Sequence, residues 1–233
     1  MKRKQRTSVI IDVETSGLPE RHHGPGYPSI KASLKSYDGS RIVQLAWIIV
    51  KETGGQNKIE SVKKSHIIKP VGFEIPRETV MIHGISTERA HEEGVEIGSV
   101  LKEFATDITN FGVTHIVAHN LEFDKHVLAA EAWRLQLADG SVDINKEELV
   151  DLYNRLAEET ASNKVKEVCT MEVGREYAKI PLPSNPKKYK APKLGELHQA
   201  FTGRIMREKH DALYDTEKCL ECYIYMRQKV CSK

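Results

Sequence analysis

One stretch, Ser8 to Leu18 (SVIIDVETSGL), constrains the fold more than any other part of the chain: a β-branched apolar run that ends in two carboxylates one residue apart. Such a run reads as a strand, and successive strand side chains point to opposite faces, so Asp12 and Glu14 project from the same side near its carboxyl end. Two anions crowded on one face repel, and burial raises their pKa unless a cation compensates. Clustered carboxylate oxygens are also the hard ligands that magnesium and manganese ions (Mg2+ or Mn2+) prefer. The plainer reading is a solvated strand end running into the turn-forming Thr15, Ser16 and Gly17.

The rest of the pattern supplies a setting. Residues 41–52 (RIVQLAWIIVKE) form a longer apolar run, followed by a turn signal at 53–57 and a third strand around 61–70, which predicts an antiparallel meander. Helical spacing of apolar residues follows at 99–110, a short strand at 114–119, and helices over 122–137 and 210–230. This order predicts an α/β fold, a mixed sheet flanked by helices with sites at strand ends.

At 233 residues the chain suits one such domain, and it shows no internal repeat or low-complexity segment. No apolar run approaches the roughly 20 residues of a membrane-spanning helix, and the basic start gives way to an apolar run that Asp12 breaks before a signal-peptide core forms. The expectation is a cytoplasmic protein with no membrane partner. With 35 basic and 33 acidic side chains the net charge is +2, so any basic surface for nucleic acid must be local. Of four cysteines, Cys219 and Cys222 form a Cys-x-x-Cys pair, but the other ligands of a zinc site are missing and the surrounding CLECYIYM reads as mid-helix. Buried free thiols are expected.

Two further stretches carry acids. In 118–127 (AHNLEFDKHV), Asp124 falls near a helix start. In 210–219 (HDALYDTEKC), His210 and Asp215 are five residues apart, which on a helix separates them by about 140° around the axis, so both can border one cleft. Taken singly, Asp124 is a helix-start carboxylate and His210 a surface or capping residue. Four acids and a histidine together are harder to treat as incidental.

DVETSGL, HNLEFD and HDALYD resemble the three motifs of the DEDDh 3′-to-5′ exonucleases, the family of the proofreading subunit of bacterial replicative DNA polymerase and of ribonuclease T. MIHGIS at 81–86 and KLGELHQAFTG at 193–203 resemble further elements of that family. The histidine subtype matches because Asp211, not a tyrosine, stands four residues before Asp215, with Tyr214 out of register. The resemblance implies a ribonuclease-H-like mixed sheet flanked by helices, a single exonuclease domain over residues 1–233, and two-metal hydrolysis of terminal phosphodiester bonds. It implies that Asp12 bridges two Mg2+ or Mn2+ ions, that Glu14 and Asp215 hold the first, and that Asp124 acts through water. His210 would be the general base, since imidazole titrates near neutral pH. It also places Thr15 and Leu18 against the terminal nucleotide, with His83 and Asn120 as further substrate contacts, while Phe123 reads as core.

The partner implied is nucleic acid with a free 3′ end, single-stranded DNA favoured, and a DNA polymerase as a possible holder of the subunit. An RNA exonuclease of the same family and a non-catalytic nucleic-acid-binding or polymerase-associated module are the alternatives. The chain departs from a compact family member at two insertions, 19–40 and 141–164. The first is rich in Gly and Pro and offers charge from Arg21, His22, His23, Lys31 and Lys35, with Tyr27 and Tyr37 as rings on which bases could stack. It is expected as a long loop beside the cleft.

Overall fold

A computed structural model describes residues 6–21, 26–53, 57–137, 146–157, 165–207 and 210–231. The elements in chain order are β1 (Arg6–Thr15), β2 (Ile42–Thr53), β3 (Asn57–Ile67), α1 (Arg77–His83), α2 (Thr87–Glu93), α3 (Ile97–Asn110), β4 (His115–Ala118), α4 (Leu121–Leu137), α5 (Lys146–Ala157), β5 (Lys166–Cys169), α6 (Thr170–Ala178), β6 (Pro181–Leu182), β7 (Asn185–Tyr189), α7 (Leu194–Thr202) and α8 (Ala212–Cys231).

Five strands form a mixed sheet in the order β3-β2-β1-β4-β5. The meander is antiparallel, while β1 pairs parallel with β4 and β4 parallel with β5. A bulge between Glu14 and Thr15 ends the regular pairing of β1 with β2. This is the ribonuclease-H-like α/β arrangement expected. The four-residue β5 and the two-residue β6 have too few positions to show alternation, and neither is legible in the sequence.

Alternation along β1 sorts its side chains between two layers. Val9, Ile11 and Val13 face a core shared with α3, α4 and α5, including Phe104, Leu128, Leu152 and Trp47. Ile10 faces the other layer, packing with Ile48, Val117 and the α8 residues Cys219 and Tyr223. Asp12 and Glu14 continue on the α8 side. Cys219 and Cys222 are buried free thiols on α8, as expected, and Cys169 is half-buried.

The 19–40 segment departs from its expected role. It closes at its base, where Ser16 N–H donates to the Arg41 carbonyl (2.9 Å) and Ser16 Oγ to the Gly39 carbonyl (3.1 Å). Gly17 approaches so closely that a Cβ there would lie 2.7 Å from the Gly39 carbonyl oxygen. Beyond the base the segment packs onto α4 instead of standing free. Tyr37 is fully buried, donating from its hydroxyl to the Pro28 carbonyl (2.7 Å) and lying 3.0 Å from His126 Nδ1. Ile30 joins the main core, Tyr27 lies against His126 and Phe123, and the Lys31 ammonium sits over Trp133 and Tyr153. Tyr37 therefore cannot stack a base. A segment of this length must offset its ordering entropy, and its aromatics do so by burial. His22 and His23 lie outside the described residues. So do both ends of the second insertion, whose described part, α5, buries Leu152, Tyr153 and Leu156 in the main core, Tyr153 against Trp133 of α4.

Candidate active site at the carboxyl end of the central strand

Three elements bring the acids together. β1 delivers Asp12 and Glu14 on its α8-facing side. On α8, Asp215 stands four residues before Cys219, hence on the same helix face, and Cys219 packs on Ile10 two residues before Asp12. The packing that buries Cys219 thus aims Asp215 at the end of β1. Asp124 arrives from the first turn of α4. That helix follows β4 through Asn120, whose φ of 72° makes the left-handed turn, and the Asn120 carbonyl accepts from Phe123 N–H (2.9 Å). β1 pairs with β4 only from Ser8 to Ile10, so it extends past its neighbour, and Val13 N–H donates to Asp124 Oδ1 (3.2 Å).

His210 is not on a helix, contrary to the angular argument from the sequence. α8 begins at Ala212 because Asp211 caps it, Oδ1 accepting from Tyr214 N–H (3.0 Å). His210 lies in the preceding loop, exposed, and still meets the acids: ligand atoms of Glu14, His210 and Asp215 all fall within 4.8 Å of one another. The start of α8 is further fixed by Gln44, the β2 partner of Glu14, whose Oε1 accepts from Ala212 N–H (3.1 Å). The sequence reading misses Gln44, and it uses Asp211 only to tell the histidine subtype, not as a helix cap. The only signal for Gln44 was one amide inside an apolar strand, and for Asp211 a capping-type residue just before a helix.

The electrostatics are those of a site built for a cation. Burial first, then Asp124, Glu14, Asp215 and Asp211, holds the Asp12 carboxyl well above the usual range. Burial, Asp215 and Asp211 push Glu14 up to about 8, and burial with Asp211 pushes Asp215 to about 7. Asp124 is also raised, by burial above all, although the Val13 N–H opposes this. Among the described residues, the side chains that raise Asp12 and Glu14 are all carboxylates. An oxygen-rich, like-charged, half-enclosed donor set fits divalent ions such as Mg2+ or Mn2+.

The expected substrate residues divide. His83, the last residue of α1, is buried, and its Nδ1 accepts from Ile85 N–H (3.1 Å), which leaves Nε2 as the protonated nitrogen. Nε2 makes no good hydrogen bond but faces the Thr15 backbone, and burial with nearby His210 lowers the imidazole pKa. His83 is therefore both a helix-end residue and a wall of the site. Thr15 is buried, with Oγ1 donating to the Gly17 carbonyl (2.7 Å). Leu18 is 77% exposed, so it is not core and presents its full side chain beside the turn. Asn120 is half-buried and turned to Tyr27, and Phe123 is half-buried against the main core.

No helix among the described residues is long and apolar enough to cross a membrane. No match was found among curated proteins. Solved structures with a similar fold include E. coli exonuclease I in a zinc-bound complex with single-stranded DNA, 19% identical with a TM-score of 0.61 over 97% of this chain and 41% of that one. E. coli exonuclease I with a dT13 oligonucleotide gives 19%, 0.62, 97% and 42%. A moderately thermophilic exonuclease I from Methylocaldum szegediense gives 18%, 0.64, 96% and 40%. At these identities the likeness establishes the fold, and the chain spans about two fifths of the length of those structures. The RNase_T family model, described as Exonuclease, matches residues 9–223, from the first core residue of β1 to the Tyr223 that seats α8 on the sheet, and the chain belongs to that family.

Proposed function

We propose that the protein is a metal-dependent 3′-to-5′ exonuclease of the DEDDh type that hydrolyses terminal phosphodiester bonds of single-stranded DNA and releases nucleoside monophosphates. The observation that carries this reading is the meeting of Asp12, Glu14, Asp124 and Asp215 with His210 at one strand end, where no lysine or arginine among the described residues pairs with the carboxylates. These four acids would hold two divalent ions, and Mg2+ or Mn2+ bound there would supply the charge neutralisation and water activation that phosphodiester hydrolysis needs.

The chain's own residues account for the rest. His210, exposed beside Glu14 and Asp215, takes the proton of the attacking water as its oxygen bonds to phosphorus. The bond from phosphorus to the 3′ oxygen of the preceding nucleotide breaks, leaving a new 3′ hydroxyl on the strand. The backbone around Thr15 receives the terminal 3′ hydroxyl, the exposed Leu18 packs on its base, and buried His83, its Nε2 turned to the Thr15 backbone, backs that contact. Asn120, fixed by its turn and by Tyr27, borders the path of the strand. DNA is favoured by the single strands in the exonuclease I structures, and the 2′ hydroxyl is the feature that would distinguish RNA at the site. A polymerase that holds this chain as a proofreading subunit follows from the motif resemblance alone, and the proposed domain over residues 1–233 carries the site by itself.

The deciding experiment digests matched 5′-labelled DNA and RNA oligomers with Mn2+. A ladder shortening from the 3′ end, faster on DNA and abolished by EDTA, is expected. Absence of hydrolysis with any divalent ion would leave a binding module, and faster RNA hydrolysis would reverse the substrate assignment.

A further inference from the structure

We infer that the β6–β7 hairpin is a ledge that holds the phosphate backbone of a single strand a few phosphates upstream of its 3′ end. The inference rests on the exonuclease reading and adds a binding surface that the motifs do not contain.

In a chain of net charge +2, residues 179–193 carry five lysines and no acid. Lys190 is spoken for, its ammonium 2.6 and 2.7 Å from the two Glu196 oxygens, and Lys193 starts α7. Lys179, Lys187 and Lys188 are exposed and form no ion pair among the described residues. Lysines on an exposed ribbon also discourage edge-to-edge pairing, which is the bland explanation. Position argues for more. The hairpin is tied at its base, where Lys190 N–H donates to the Ile180 carbonyl (2.9 Å). Two residues on, the Pro192 carbonyl accepts from His119 Nε2 at 3.0 Å.

His119 ends the run out of β4 and directly precedes Asn120 and the helix that carries Asp124. Gly174 of α6 locks the base further, since a Cβ there would lie 2.9 Å from both methyl groups of Leu197 and 3.3 Å from Pro192. The lysines thus stand on a clamped arm, Lys187 lying at most about 17 Å of extended chain from Pro192, which His119 holds. An anionic strand approaching four carboxylates needs attraction outside the metal centre, and this arm provides it. Tyr189, half-buried and two residues after Lys187, adds a ring near that charge on which a base could stack.

The test compares the full chain with Lys187→Ala/Lys188→Ala and Lys187→Arg/Lys188→Arg. Binding of fluorescein-labelled dT16 is followed by anisotropy in chelator between 50 and 300 mM NaCl, and kcat/KM is measured in Mn2+ for dT16 and for thymidine 5′-p-nitrophenyl phosphate. In the alanine variant, affinity for dT16 at 100 mM salt should fall about tenfold, and the slope of log affinity against log salt should flatten by about 1.4, two single-strand phosphate contacts. The arginine variant should restore both, and the small ester should change less than twofold. Unchanged affinity and slope would overturn the ledge while leaving the exonuclease standing. An equal loss on the ester would also overturn it, because the hairpin would then act through the site's structure. If the wild-type protein cleaves neither substrate, the exonuclease reading fails and the anisotropy series still decides whether the lysines hold a strand.

Discussion

Glu131 and Asp12 are both buried carboxylates, and the protein treats them in opposite ways. Glu131, 2% exposed on α4, is held by Arg41 at 2.6 and 3.2 Å and lies 3.4 Å from Ile42 N–H. Asp107 on α3 is likewise matched, by Lys64 at 2.7 Å and Trp47 Nε1–H at 2.9 Å. Asp12 forms no ion pair among the described residues, and the side chains that shift it are carboxylates. A chain that pairs its structural acids this carefully yet leaves the strand-end cluster unpaired fits the proposed metal site, where a cation from outside would complete it. The same fold contains a control for its own active site.

Breaking the unpaired side should have the largest effect. Asp12→Asn keeps the size and removes the charge, and should lower kcat about 10⁴-fold on a labelled single strand. In chelator the same variant should melt at or above the wild-type temperature, since a repelled buried charge has been removed. A variant with wild-type rate, or one that melts well below wild type in chelator, would contradict the comparison.

His210→Ala should lose about 10²- to 10⁴-fold in rate while Mn2+ still raises the melting temperature, as expected of a base that does not hold metal. If the Mn2+ shift disappears, His210 belongs among the ligands, which its nearness to Glu14 and Asp215 allows. On the paired side the effect moves from rate to stability. Glu131→Ala leaves the Arg41 guanidinium without its partner and should cost about 3 kcal/mol in urea unfolding, with the metal response retained.

The smallest effect is a pH dependence. Glu14 and Asp215, with folded-state pKa values of about 8 and 7, bind more protons folded than unfolded above about pH 4. Without metal their contribution to stability is therefore greatest at low pH and is lost as pH rises toward 8. The neutral, half-buried imidazoles of His119 and His126, each lowered to about 4 chiefly by burial, act in the other direction between about pH 4 and 6.5. The informative quantity is thus the difference in melting temperature between Mn2+ and EDTA. It should grow from pH 5 to pH 8, as protons stop competing for the carboxylates. A difference independent of pH would mean that the metal binds elsewhere.

Much of this was legible before any coordinates. The meander, the helices carrying Asp124 and Asp215, and the mid-helix thiols follow from side-chain period, a local property. Local reasoning failed where local and global demands part. The Gly- and Pro-rich 19–40 segment reads as a long loop beside the cleft with Tyr37 free to stack a base, yet Ile30 and Tyr37 are among its buried residues because α4 offers an apolar face next to it. His210 looked helical because the period continues through it, but the Asp211 cap starts α8 two residues later.

The sequence by itself determined which residue types could bind metal and on which face of β1 they stand, because alternation along a strand needs no partner. Tertiary structure alone decided that those acids meet, since Asp12, Asp124 and Asp215 are set by the packing of Cys219 on Ile10 and the Val13 bond to Asp124. It alone decided that they meet without an arginine or lysine partner among the described residues, because whether a buried carboxylate finds an arginine or another carboxylate depends on contacts between residues some ninety to two hundred positions apart, which no local pattern encodes.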